Sequence, residues 1–563
     1  MVSIYDRLSE ERKELQHQGL IPPWFTTGGW QLFKEKYLYE AKGIRDTFQR
    51  VAVTAAKHTS NPDHYASKFF DLMWSGHLAL STPVLSNMGT PKGLCVSCSG
   101  QYIGDSIDEF YKGYRETALL TKQGFGTSAS LSDVRARGNE ISAGGKASGV
   151  LPVLKHFVQD MRDVAQGSSR RGAWAGYLDI DHDDFWEVVT YLERYPDDLN
   201  IGWNISADFI GSLESGSEEE VARYQRALKV KAITGKGYFL FKDKINKLNP
   251  QMYKDLGKEV KASNLCTEIT LYSDEEETFT CVLSSMNLAK YDEWKGTDAV
   301  FYATIFLDCV ASEFIEQGSK ISGLEKAVKF TKKNRALGLG ALGFHTYLQS
   351  KLIPIESFDA HLINLDMFSY LQEEATHASK WMAENWGEPE NCNGYGVRNT
   401  HLIAVAPNTS SALLCGGVSQ GIEPVVANVY NQPTTAGEIS RVNPFFMQYA
   451  REMGKWDEAL SKDIQNKEGS VQHLDWMSEN DKLVFRTAYE IDQKALIRLA
   501  ATRQRYICQA QSLNLFFDAD ESEEYISDVH KDAFLNPMIK SLYYMRSKAG
   551  IQASRGECLA CEG

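Results

Sequence analysis

Apolar positions recur at helical period over roughly the first eighty residues. Ser9–Gln18 predicts a charged helix, and Tyr37–Ala56 and Pro62–Gly76 continue the same spacing. The pattern breaks at Leu80–Gly93, a run rich in small residues and turn formers. From there to about residue 350, short β-rich runs at Cys95–Ile103, Trp174–Ile180, Gly237–Phe241 and Phe279–Leu283 alternate with helical segments at Ile107–Lys122, Val150–Val164 and Ala299–Gln317. Such alternation argues for an α/β barrel or a wound sheet. Residues 355–390 return to helical spacing, Arg398–Ala406 reads as a strand, and 440–515 is mixed and mostly helical. Ser547–Gly563 is small and polar, the composition of a mobile tail.

Composition narrows the classes without choosing among them. At 563 residues with 43% apolar and 24% charged side chains, the chain has ordinary globular content and can bury a large core. A net charge of −14 argues against a nucleic-acid surface, though a few arginines and helix N-termini can still hold a nucleotide. The N-terminus lacks a signal-peptide core, and no run approaches the roughly 18–20 apolar residues of a spanning helix, so a cytoplasmic location is expected, with no membrane partner. Ten cysteines are too sparse for a disulfide scaffold, and in a reducing compartment cysteines that matter are catalytic, redox or metal-binding.

The densest chemistry lies at Ser263–Glu268, where an amide, a thiol and a carboxyl alternate at Asn264, Cys266 and Glu268. In an extended segment, side chains two apart point the same way, so all three are expected to face one small substrate. Two C-x-x-C pairs, Cys95–Cys98 and Cys558–Cys561, admit redox exchange or zinc; their wide separation favours exchange. Tyr543-Tyr544 is a buried aromatic pair or a one-electron relay. Gly338, Gly340 and Gly343 spell G-x-G-x-x-G, but a basic stretch precedes them where a strand should stand, so close helix packing is expected and not a dinucleotide site. Pro407-Asn-Thr-Ser-Ser411 fits either a helix cap or an anion site. Loops at 138–149 and 167–172 flank the helix expected at 150–164 and are solvated or ligand-gated.

Together these motifs resemble the catalytic large subunit of class I ribonucleotide reductases. The resemblance runs from about residue 80 to the C-terminus and rests on Thr82-Pro83, Ser97-Cys98, Arg170–Ala175, Asn264–Glu268, Cys281, residues 335–343, Pro407–Ser411 with Gly421–Pro424, Tyr543-Tyr544 and the terminal cysteines. Each motif is weak alone, and their shared order and spacing are specific. The resemblance implies a ten-stranded α/β barrel of two five-stranded parallel halves, with Cys266 on a central finger loop. It implies an N-terminal helical region at 1–80, a catalytic barrel at 81–545 and a redox tail at 546–563.

It further implies reduction of ribonucleoside diphosphates by a thiyl radical at Cys266. Glu268 would act as base, Asn264 would hold the hydroxyls, and Cys98 and Cys281 would supply a proton and two electrons. Cys558 and Cys561 would re-reduce that pair for thioredoxin or glutaredoxin, while Tyr543 and Tyr544 carry the oxidising equivalent from a separate metal-containing small subunit. Thr82, Ser97, Gly126, Pro407, Asn408, Thr409, Ser410 and Ser411 map onto substrate contacts. Asp105, Ser106, Arg135 and Arg170 map onto a dNTP/ATP effector site at a homodimer face. No metal or cofactor is expected on this chain itself. Two departures stand out: no N-terminal ATP-cone precedes the core motifs, and the run from Gly126 to Arg135 is two residues longer than the usual pattern. Cys95 lies outside the family set and is expected to be buried and inert. A cobalamin-dependent reductase shares the N-x-C-x-E core, but the paired tyrosines argue against it.

Overall fold

The computed structural model describes residues 4–40, 42–166, 170–434 and 437–548. Helices Ile4–His17, Thr27–Lys36, Ile44–Ala56 and Pro62–Trp74 form the N-terminal part. The helix expected over Tyr37–Ala56 starts only at Ile44, because Glu40 takes a left-handed φ of 51° and Tyr39 bridges back to Lys42. That reversal ends one helix and lets Gly43 start the next in extended backbone. Both helices bury an apolar face, with Phe33, Ile44, Val51 and Ala55 almost fully enclosed.

Strand pairings trace a closed ring. Cys98–Tyr102, Thr127–Ser130, Trp174–Asp179, Ile201–Asn204 and Tyr238–Leu240 pair in succession, all parallel. Phe279–Asn287 pairs parallel with Leu337–Leu342, which bridges in parallel from Leu339 to Ile403; Val405 bridges in parallel to Gln511, and Leu515–Phe517 pairs parallel with Met545–Ser547. Two antiparallel seams join these halves: Cys98–Gly100 against Phe279–Cys281, and Phe239–Leu240 against Ser541–Leu542. Parallel strands buried on both faces read as continuous apolar runs, and all nine residues of Phe279–Asn287 are buried.

Two expectations change in detail. Gly338 and Gly340 lie within the strand Leu337–Leu342 and not in a helix contact, and only Gly343 precedes a helix, at φ 81°. A Cβ on Gly338 would stand 2.4 Å from Leu283 and 3.1 Å from Cys281 Sγ, so the bare backbone there is a packing requirement. Arg398–Ala406 makes only isolated bridges at Ile403 and Val405 in place of a full strand. Around the second half, the helix Ala299–Gly318 is buried over most of its surface, and its Asp308 binds Arg335, Arg398 and Asn399. Among the described residues no helix is long and apolar enough to cross a membrane.

Candidate active site

Ser263–Ile269 has no regular secondary structure, yet it is buried throughout. Buried backbone carbonyls need donors, and side chains from both halves of the ring supply them. Ser128 Oγ donates to Ser263 O at 2.7 Å, Tyr177 OH to Asn264 O at 2.5 Å, Ser512 Oγ to Cys266 O at 2.6 Å and Ser541 Oγ to Thr267 O at 3.1 Å. The segment is thus a finger held inside the barrel by strands on opposite sides. It is not extended. Thr267 adopts φ 68° and its N–H returns to Asn264 O, so a tight turn, and not strand alternation, brings Asn264 and Glu268 together.

The amide and carboxylate meet directly, with Asn264 Nδ2 donating to Glu268 Oε1 at 3.0 Å. Ser512 Oγ donates to Glu268 Oε2 at 3.1 Å. Burial pushes the Glu268 carboxyl up to about 7, against the pull of these hydrogen bonds. The group is therefore poised as a proton acceptor near neutrality.

Two further contacts connect the finger to the ring. Asn264 Nδ2 also donates to Cys98 Sγ at 3.3 Å, and Cys98 lies directly across an antiparallel pair from Cys281. Directly opposed antiparallel residues stand about 4.5–5.5 Å apart at Cα, within the range a disulfide spans. On the other side Tyr543 OH donates to Cys266 Sγ at 3.4 Å. The Tyr543 and Tyr544 rings lie 4.2 Å apart, and the Arg546 guanidinium sits 4.2 Å from the Tyr544 ring centre. Burial raises the Tyr543 phenol and the Cys281 thiol well above their ordinary values.

This barrel, with its finger thiol flanked by a tyrosine pair and a thiol pair, has close counterparts. The family described as "Ribonucleotide reductase, barrel domain" matches residues 96–221, 222–391 and 384–545, and "Ribonucleotide reductase, all-alpha domain" matches residues 23–93. The alpha subunit of the class Id ribonucleotide reductase of Actinobacillus ureae superposes with a TM-score of 0.87 at 37% identity, covering 94% of this chain and 98% of that one. The chain belongs to the ribonucleotide reductase large-subunit family. It is an enzyme of the ribonucleoside-diphosphate reductase type. The putative ribonucleoside-diphosphate reductase large subunit of Frog virus 3 is 34% identical over 90% of this chain and 94% of its own length. The large subunit of Invertebrate iridescent virus 3 is 29% identical over 96% and 98%, and the vitamin B12-dependent reductase of Thermoplasma acidophilum is 28% identical over 88% and 67%.

The other candidate residues of this reductase chain fall in two groups. Thr82 opens the helix Thr82–Asn87 and shares a 2.8 Å hydrogen bond with Tyr37 OH. Ser97 is buried with an unpartnered Oγ, and Gly126 bridges Cys98 through its backbone. Asn408 takes φ 62° ahead of the helix Thr409–Leu414, and its Oδ1 accepts from Ser285. Pro407 precedes it; Ser410 is buried, Thr409 Oγ1 donates to Gln420 and Ser411 Oγ to Leu80 O. Thr82, Thr409 and Ser411 are thus engaged within the protein, and the N-cap Asn408 makes no side-chain cap hydrogen bond.

The second group is more exposed. Arg135 Nε donates to Asp105 Oδ2 at 2.5 Å, and Ser106 Oγ accepts from Glu109 N to cap the helix Ile107–Lys122. Arg170 lies in the short strand Arg170–Arg171. Cys558 and Cys561 lie outside the described residues, as do 167–169 of the basic loop. Cys95 is buried, with Sγ donating to Val310 O.

Several residues at the site carried no motif. Tyr177, Gln509 and Ser512 hold the finger or its thiols, and Lys231 Nζ donates to the Tyr543 carbonyl. One signal was present: Gln509, Gln511, Ser512 and Asn514 are polar positions inside the otherwise apolar run Ile507–Phe517.

Proposed function

We propose that the chain reduces ribonucleoside diphosphates to 2′-deoxyribonucleoside diphosphates by thiyl-radical chemistry, supplying DNA precursors. The observation that carries this reading is the line from Tyr544 through Tyr543 to Cys266, with rings at 4.2 Å and the phenol 3.4 Å from the sulfur. A partner small subunit holding a metal would supply the oxidising equivalent to Tyr544. The Cys266 thiyl then takes the 3′-hydrogen, exchanging an S–H for a C–H bond without separating charge. Glu268 accepts the 3′-hydroxyl proton while the 2′-hydroxyl departs as water, and its proximity to Asn264 Nδ2 at 3.0 Å keeps both groups on the same sugar edge. Cys98 and Cys281 deliver two protons and two electrons, one proton leaving with the 2′-hydroxyl in water, and finish as a disulfide, which their opposed register permits. Cys266 returns its hydrogen to C3′ and recovers the thiyl as Glu268 returns its proton to the 3′-oxygen. The sealed finger keeps water away from the radical.

Thr82, Ser97, Gly126 and Pro407–Ser411 hold the diphosphate and ribose in this reading. Cys558 and Cys561 reopen the disulfide and are themselves reduced by thioredoxin or glutaredoxin. Asp105, Ser106, Arg135 and Arg170 hold a dNTP or ATP effector at the face of a cytoplasmic homodimer, and the adjoining loops pass its identity to the substrate base. The test is turnover of CDP with ATP, a dithiol and a candidate radical subunit, repeated with cobalamin and no partner. Deoxynucleotide formed only with the partner supports the reading; product formed only with cobalamin overturns it.

A further inference from the structure

The two sulfurs of the opposed pair are not equivalent. Cys281 is wholly buried, whereas Cys98 keeps 9% of its surface exposed. Each accepts one amide N–H, from Asn264 Nδ2 on Cys98 and from Gln509 Nε2 on Cys281, both at 3.3 Å. Those amides are held differently. Asn264 Nδ2 is divided between Cys98 and Glu268, and it faces the space where a ribose must bind in the reading above.

Gln509 is buried and engaged at every polar atom. Nε2 also donates to Leu337 O at 2.9 Å, and Oε1 accepts from Thr270 N at 3.0 Å. Its backbone N–H donates to Ile403 O, while its carbonyl accepts from Gln504 Nε2 and from Lys540 Nζ. The donor on Cys281 therefore cannot swing away without breaking side-chain contacts to two other segments, at Leu337 and Thr270. Burial drives the Cys281 thiol toward its neutral form, and this fixed N–H works against that drive.

We propose that Gln509 is a positioning residue that makes Cys281 the leaving sulfur when a dithiol reopens a Cys98–Cys281 disulfide. An incoming thiolate attacks the more exposed Cys98 sulfur. A new S–S bond forms there, the Cys98–Cys281 bond breaks, and the electron pair departs on Cys281 as a thiolate held by the Gln509 N–H. The second thiol of the reductant gives its proton to Cys281, attacks its own mixed disulfide and expels Cys98, which takes up a proton. The reductant loses two electrons and the pair gains two.

The proposal rests on the redox-pair reading but needs neither radical nor nucleotide, so its test is independent of turnover. Full-length chain carrying Cys558→Ser and Cys561→Ser is oxidised with diamide, treated with the monothiol 2-mercaptoethanol, acid-quenched and mapped by mass spectrometry. A monothiol opens the bond halfway and leaves its adduct on the attacked sulfur. The adduct is expected on Cys98. Gln509→Leu should slow opening about ten- to a hundredfold, the worth of one hydrogen bond to a charged leaving group, and should spread the adduct over both sulfurs. A merely structural role would not move that distribution. An adduct on Cys281 in the parent chain, or an unchanged opening rate in a folded Gln509→Leu chain, overturns the proposal. Failure of any disulfide to form removes the redox pair and the proposal with it. If Gln509→Leu does not fold, the adduct position in the parent chain decides.

Discussion

Replacing Glu268 by glutamine separates the chemical role of this carboxyl from its cost to the fold. Burial lifts its folded-state pKa to about 7 from an ordinary value of 4.5. Between those two values the folded chain keeps the proton and the unfolded chain has lost it. Stability therefore falls as pH rises through that window and levels off above about pH 7, with an accumulated loss of about 3 kcal/mol. The amide of Glu268→Gln does not titrate and escapes this loss. It keeps the acceptor for Asn264 Nδ2, and the Ser512 hydroxyl can turn to accept from the new donor. The variant should unfold at nearly the same temperature as the parent at pH 4.5 and a few degrees higher at pH 8. Buried Glu116 and Glu423 are also raised to about 7, but they are common to both chains and cancel in the difference. Removal of a general base should lower turnover about 10²- to 10⁴-fold, and the parent's activity should rise with pH through a step near 7. Thermal scans at the two pH values, beside a pH–rate profile, give both readings. A stability difference that does not change with pH would refute the account of a carboxyl held neutral by burial.

The remaining predictions are briefer. Tyr544→Phe should abolish turnover while nucleotide affinity, measured by calorimetry, stays within about twofold of the parent; retained turnover removes the relay role. Changing Cys558 and Cys561 together to serine should stop turnover with a protein reductant but spare part of it with a small dithiol, and equal loss with both counts against a shuttling tail. Asp308→Ala leaves the buried Arg335 and the half-buried Arg398 without their shared carboxylate, so the denaturant midpoint should fall by the equivalent of about 3–5 kcal/mol. A loss below about 1 kcal/mol would show that water compensates the two cations.

The site was legible in the chain mostly through its thiols and tyrosines, whose order is specific even though Cys98, Cys266, Cys281 and Tyr543-Tyr544 come from four separate places in the chain. Helices such as Ile107–Lys122 were legible to the residue because an amphipathic period and a Ser106 cap agree. The second half of the ring was legible only in part, at Phe279–Leu283. Leu337–Leu342 is half glycine and alanine and carries no β signal, yet a Cβ on Gly338 would press on Leu283 and crowd Cys281. The strand read over Arg398–Ala406 reduces to single bridges at Ile403 and Val405, and the bridge at Gln511 is too short to leave a period. Likewise, Ser512 and Tyr177 act on backbone carbonyls of the finger, and a hydrogen bond to a carbonyl constrains no partner side chain that a motif could reveal. The turn at Thr267 escaped notice because alternation at 264, 266 and 268 suggests an extended segment just as well.

A ring made from two parallel halves must change direction twice, and here the two reversals border different chemistries. One carries Cys98 opposite Cys281, and the other joins Leu240 to the segment that bears Tyr543. The finger touches the first through Asn264 and the second through Cys266. On the proposed chemistry, oxidant and reductant thus arrive by opposite walls of one chamber, and the sugar is the bridge between them.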